Sequence, residues 1–295
     1  MKTIARAVFR SVLRQYPFYS GCGTIANMRP FEWATEDIEG PVNVKIRNGL
    51  RLCIDPKEFL GRSIYYTREW DPKITWAIER ILRKGDTFLD IGSHCGISSL
   101  VAAGVVGREG AVHAFDPQPK LTELLRKTAA LNDLPQLRVH GIALSSEDRQ
   151  AELHIQFDKP ILASLDRVDA PGQTIFVPAR KTGDYLRALD LQPIRLVKID
   201  VEGHEIEILN GSAGFFEREN KPQTILFESI DAEGAFWQRP VVRWLQNLDY
   251  VFYALPKQML RMRAVRVNGR STPGWHDFVA VAPDAMDDLK PLLDA

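Results

Sequence analysis

Cysteine is scarce in this chain: there are three among 295 residues, and Cys22, Cys53 and Cys95 lie too far apart to suggest a metal-ligand set. That scarcity excludes a disulfide framework and predicts a reducing, cytoplasmic setting. A charge excess is missing too. Lys plus Arg and Asp plus Glu number 38 each, so no basic surplus points to nucleic acid. No apolar run approaches the length of a membrane span. The N-terminal stretch MKTIARAVFRSVLR is no secretory signal, because Lys2, Arg6, Arg10 and Arg14 interrupt it every four residues. At helical spacing these cations form one face, opposite Ile4, Val8, Val12 and Leu13. A surface helix packed on the body is the expectation, with peripheral contact to a membrane or an acidic partner as the alternative.

What the chain does have is an alternation of strand and helix patterns. From Asp86, TFLDIG is followed by the small-residue helix ISSLVAAGVV, and GAVHAFD by PKLTELLRKTAALN. QLRVHGIAL, IRLVKIDV with the helix EIEILNGSAGFF, and QTILFES continue the series. This order predicts a mostly parallel sheet with helices on both faces. YVFYAL and DFVAVA, about twenty residues apart, read as a closing antiparallel hairpin. Residues 145–193 read as an inserted β-ribbon and helix, and 1–62 as a helix and small hairpin, turning at Asn48-Gly49, that cap the domain spanning 63–295.

The turn DIGSHCG places Asp90, Gly92, Ser93 and Gly96 between the first strand of this series and its helix. Glycines permit a tight turn, and a helix N-terminus offers N–H groups to an anion. A dinucleotide fingerprint would need G-x-G-x-x-G. The spacing found is G-x-x-x-G with an acid two residues ahead, which suits a ligand bearing both cationic and carboxylate groups, such as S-adenosylmethionine, better than a pyrophosphate. Asp116 ends the next strand, where a carboxylate can accept from ribose hydroxyls or simply cap the following helix. Ala143, among the small residues of GIALS, leaves room for a flat adenine ring.

The densest group of titratable residues lies in LVKIDVEGHEIEIL, where Asp200, Glu202 and His204 follow an apolar run. If this strand lies on the far side of the first, these residues meet the glycine turn at the topological switch point. Such a place suits proton transfer: Asp200, Glu202 and His204 are the candidate catalytic residues, and a neutral histidine is the best single base near pH 7. No metal is expected; Mg²⁺ held by Asp200 and a neighbour is the alternative. Glu205 reads as helix-start chemistry. The segment 256–277 carries Lys257, Arg261, Arg263, Arg266 and Arg270 with no acid before Asp277, a solvated loop or a clamp for an anionic acceptor.

DIGSHCG, FDPQP, KIDVEGHE and LFES together resemble the FkbM family of S-adenosylmethionine-dependent methyltransferases, whose patterns are D-I-G-A-N-x-G, F-E-P-N-P and K-I-D-V-E-G-x-E with a late strand ending in an acid. The resemblance runs from about Ser63 to Glu228. It implies a class I methyltransferase (Rossmann-like) fold with a mostly parallel seven-stranded sheet and a C-terminal antiparallel hairpin. It further implies O-methylation of a hydroxyl on a sugar, glycan or natural product. IYYTREWDP resembles the family's approach to its first strand and puts Asp71 near the amino-acid end of the cofactor. Ser93 and His94 depart from the family's Ala-Asn, and Asp116 from its Glu. An NAD-linked oxidoreductase and a scaffold that binds the cofactor without turnover are the rival readings.

Overall fold

The structure is a computed structural model that describes residues 1–14, 20–156, 163–165, 171–229, 235–269, 276–289 and 292. Three helices lead: α1 (Lys2–Leu13), α2 (Cys22–Ala26) and α3 (Arg29–Thr35). A hairpin of β1 (Val42–Lys45) and β2 (Arg51–Ile54) follows. It turns where the sequence predicts, with Gly49 at φ 93°. The hairpin is tied to the body by the Cys53 amide, which donates to Thr128 Oγ1 at 3.0 Å. Helices α4 (Phe59–Thr67) and α5 (Pro72–Ile81) lead into the main sheet.

The core alternates as the pattern requires: β3 (Thr87–Ile91), α6 (Ile97–Val106), β4 (Ala111–Phe115), α7 (Pro119–Leu131) and β5 (Leu137–His140). The chain then leaves the sheet. β6 (Ala143–Ser145), β7 (Arg149–Gln156), β8 (Ala163–Ser164) and β9 (Gly172–Lys181) form a second sheet in the order β6-β9-β7-β8. Helix α8 (Thr182–Arg187) returns to β10 (Ile194–Ile199), α9 (Glu205–Gly211) and β11 (Thr224–Glu228). Finally come α10 (Pro240–Gln246), β12 (Val251–Ala254), the short β13 (Val265–Arg266) and β14 (Asp277–Val281).

The main sheet runs β13-β12-β14-β11-β10-β3-β4-β5. β14 is antiparallel to both β11 and β12, as the hairpin pattern predicts, and two-residue β13 adds an eighth strand at the edge. Every residue of β3 and β10 is buried, as expected for parallel strands covered on both faces. QLRVHGIAL departs from expectation. It reads as one strand but splits at Gly141, so Ala143 belongs to the ribbon sheet through its pairing with Ala179.

The first helix packs with the unexpected side inward. Lys2 Nζ meets Glu36 Oε2 at 2.7 Å, Arg6 pairs with Asp37 and donates to the Ala34 carbonyl, and Arg10 lies over the Tyr65 ring. Leu13 is buried, but Ile4, Val8 and Val12 face solvent. Periodicity predicts two faces; it does not say which one the body will take.

Candidate active site

The order of chain through the sheet creates the site. β3 pairs with β4 on one side and β10 on the other, both parallel, so the chain reverses its direction of travel across the sheet at β3. The Asp200 amide donates to the Ile91 carbonyl at 3.1 Å, which sets KIDVEGHE directly against DIGSHCG. Gly92 is required there. It has φ 79°, and a Cβ at this position would come within 1.9 Å of the Asp200 carbonyl oxygen. Gly96 caps α6 with φ 82°.

Two adjoining cavities open at these strand ends, sharing Leu60, Trp70, Gly92, His94, Asp200 and Glu202. The first is mostly apolar, lined by Ile91, Phe115, Asp116, Ile142, Ala143 and Leu144 from the sheet side. Leu153, Ala163 and Leu165 of the ribbon form its other wall. The insert therefore covers this cavity, resting on a small core of Ala143, Ala151, Leu153, Val177 and Ala179. Asp116 is held by two backbone donors: His94 N to Oδ2 at 2.9 Å and Gln118 N to Oδ1 at 2.8 Å. Burial nevertheless raises its pKa to about 7.

The second cavity is polar, with Asp71, Lys73, Ser93, Asp200, Glu202, Glu228, Lys257, His276 and Asp277 in its wall. Asp71 caps α5 and forms an ion pair with buried Lys73, whose Nζ also meets Asp277 Oδ2 at 3.1 Å. Asp200, Glu202 and Glu228 each place a carboxylate oxygen within 4.8 Å of the others. Partial desolvation and the Asp200 charge raise Glu202, itself an exposed residue, to about 7, while burial with Asp200 and Asp277 raises Glu228 to about 8. Three carboxylates this close could share a divalent cation. The Lys198 ammonium, 3.0 Å from Asp200 Oδ2, already supplies positive charge at that point, and we assign no metal.

Lys198 is the residue that sequence reasoning missed. Its Nζ also lies 3.2 Å from the Gly92 carbonyl and 3.7 Å from Asp90 Oδ1, joining the ends of β3 and β10. Burial alone would lower its pKa, but the Asp200 and Asp90 carboxylates outweigh that and raise it. A cation inside the apolar run IRLVKI was the available signal. Its partner Asp90 lies far away in sequence, and only the sheet register brings the two together.

Asp90 lies behind the turn. The sequence suggested contact with a cationic ligand, but Asp90 is fully buried and lines neither cavity. Its Oδ2 accepts from Ser99 Oγ at 2.5 Å, so it braces the turn from behind. His204 is buried on the side of the apolar cavity, with Nε2 3.0 Å from Ser145 Oγ, and does not line the polar one. Glu205 Oε1 accepts from the Val201 and Gly203 amides, bracing the loop before α9. Ser93 is buried in the polar cavity wall. His94 and Glu202, which line both cavities, have φ of 48° and 57°. Asn, Asp and His tolerate that left-handed region best, so histidine can stand where the family has asparagine. Of the basic segment, Lys257 lines the polar cavity and Arg261, Arg263 and Arg266 do not; Arg270 is outside the described residues.

Strand order, the glycine turn at the switch point and an acid at the end of β4 define a class I S-adenosylmethionine-dependent methyltransferase. More specifically, the chain belongs to the FkbM methyltransferase family, with the Methyltransferase FkbM domain matching residues 90–252. No curated protein matches the chain. Solved structures that it resembles include an S-adenosylmethionine-dependent O-methyltransferase from Thermotoga maritima, at 15% identity over 72% of this chain and 65% of that one, TM-score 0.39. A tRNA (uracil-54, C5)-methyltransferase from Pyrococcus abyssi, bound to S-adenosyl-L-homocysteine, shares 14% identity over 82% and 44%, TM-score 0.43. A methyltransferase-like protein from Streptococcus mutans, also with S-adenosyl-L-homocysteine, shares 10% over 70% and 94%, TM-score 0.40. Likenesses this distant carry no statement about the acceptor.

Proposed function

We propose that the chain methylates a hydroxyl oxygen on a sugar, glycan or natural-product acceptor. The observation that carries this reading is the group of carboxylates around the polar cavity, with Glu202 poised near pH 7. S-adenosylmethionine supplies an activated methyl group when bound. Asp116 would accept from its ribose hydroxyls, Ala143 and the ribbon would enclose its adenine, and Asp71 and Ser93 would hold its amino-acid end. Holding the reacting atoms in line contributes most of the acceleration, about 7–11 kcal/mol in intramolecular comparisons.

The proton of the acceptor hydroxyl passes to a Glu202 carboxylate oxygen, while Asp200, fixed by Lys198, orients that hydroxyl. His204 lines the apolar cavity and not the polar one where the carboxylates gather, so it is read as a contact of Ser145 and not as the base. The wall of five carboxylates disfavours an anionic acceptor, so the basic segment is read as a solvated loop. Cytoplasmic residence is supported by three free, buried cysteines. Incubation with methyl-labelled S-adenosylmethionine and a panel of neutral polyols, glycosides and phenols tests the reading. A methyl ether is the expected product; methylation at nitrogen or carbon would contradict it.

A further inference from the structure

The outward face of α1 is apolar while its inward face carries the charge, the reverse of a helix that stabilises a soluble body. Met1, Ile4, Val8 and Val12 are 97%, 72%, 54% and 67% exposed and follow one another at helical spacing. Trp33, 39% exposed, lies beneath Lys2 Nζ, 5.5 Å from its ring centroid. We infer that this face docks the protein onto a bilayer containing anionic lipids.

Charge and area lead there. Residues 1–31 contain five cations and no acid, the first acid being Glu32. Lys2 and Arg6 are committed to Glu36 and Asp37, but Arg14 is exposed at the end of the helix near Arg10 and Arg68. An apolar ridge with positive charge at one end suits acyl chains beneath anionic headgroups. A second copy of the chain fits less well. A 12-residue helix is about 18 Å long, so one stripe covers on the order of 200 Å², far below the roughly 800 Å² per partner of a stable protein interface. Docking of this kind is weak and reversible, with apolar insertion and headgroup attraction both needed.

Vesicle flotation of the full chain tests the inference, using phosphatidylcholine alone and phosphatidylcholine with about 30% phosphatidylglycerol. Wild type should float with the anionic vesicles and release as salt rises. The Ile4→Glu/Val8→Glu double variant should lose at least about tenfold of the bound fraction. Its thermal midpoint and S-adenosylhomocysteine affinity should match wild type, since both side chains stand in solvent. Failure of wild type to float, or equal flotation of the variant, would overturn the inference. So would light scattering that shows a wild-type dimer broken by the double variant, because the face would then join two copies.

Discussion

The two cavities share a wall and differ in almost everything else. The first is mostly apolar and roofed by the ribbon, and Asp116, the carboxylate it does not share with the second, is held by two backbone amides. The second gathers acids from α5, β11, β14 and the loop after β10, balanced in part by Lys73 and Lys198. A surface shaped for a flat, uncharged ring needs little charge; a surface that must move a proton has to keep carboxylates near their titration point. On the proposed reading the apolar cavity would take the adenosine part of the cofactor, and the polar cavity its amino-acid end together with the acceptor; each variant below separates or joins the two.

The largest effect is expected from Glu202→Gln, which removes the base without altering shape. Steady-state kinetics should show kcat lower by about 10²–10⁴-fold. With the wild type, kcat should rise as pH passes about 7, because the Glu202 carboxylate accepts a proton only when ionised. A kcat that is flat between pH 6 and 8 would remove Glu202 from that role.

Lys198→Met should be the most damaging to stability. It leaves buried Asp90 without its cation, and breaking a buried pair from one side costs about 3–5 kcal/mol in chemical denaturation. It should also raise the pH at which activity appears, since nearby carboxylates lose a stabilising charge. Loss of stability with an unmoved pH profile would mean that Lys198 supports the fold and does nothing for the acids.

Much of this arrangement could be read from the residues. TFLDIGSHCG announced a buried strand, a glycine turn and a helix, and the structure has each of them. The position of KIDVEGHE beside that turn followed from strand order alone. Pairings between distant segments were not legible. Glu228 was visible as a strand-end acid, but its approach to Asp200 depends on the β10–β11 register. Lys73 and Asp277 are far apart in the chain and meet only because β14 inserts beside β11. The ribbon was recognisable as an insert, yet nothing local to it said that Leu153 and Leu165 would cover the apolar cavity. The inverted packing of α1 was hidden for a related reason, since its partners Glu36, Asp37 and Tyr65 lie outside the helix.

A smaller effect is expected on stability from Glu228. Its pKa is raised from the ordinary carboxylate range to about 8, so the folded state holds the proton that the unfolded chain releases. The contribution is therefore complete below the ordinary glutamate range and is lost as pH rises through about 8. The thermal midpoint of the ligand-free protein should fall across that window, and Glu228→Gln should flatten the fall. A slope unchanged in the variant would assign the pH dependence to other groups.

Calorimetric titration with S-adenosylhomocysteine tests the division between the cavities most directly, comparing wild type, Asp116→Ala and Glu202→Gln. Removal of a charged hydrogen-bond acceptor should cost Asp116→Ala about 1.5–3 kcal/mol of binding, or roughly 10–150-fold in Kd. Glu202→Gln should bind as wild type does while failing to turn over. Equal loss of binding in both variants would show one undivided site, and no binding by wild type would contradict the assignment of the apolar cavity to the cofactor.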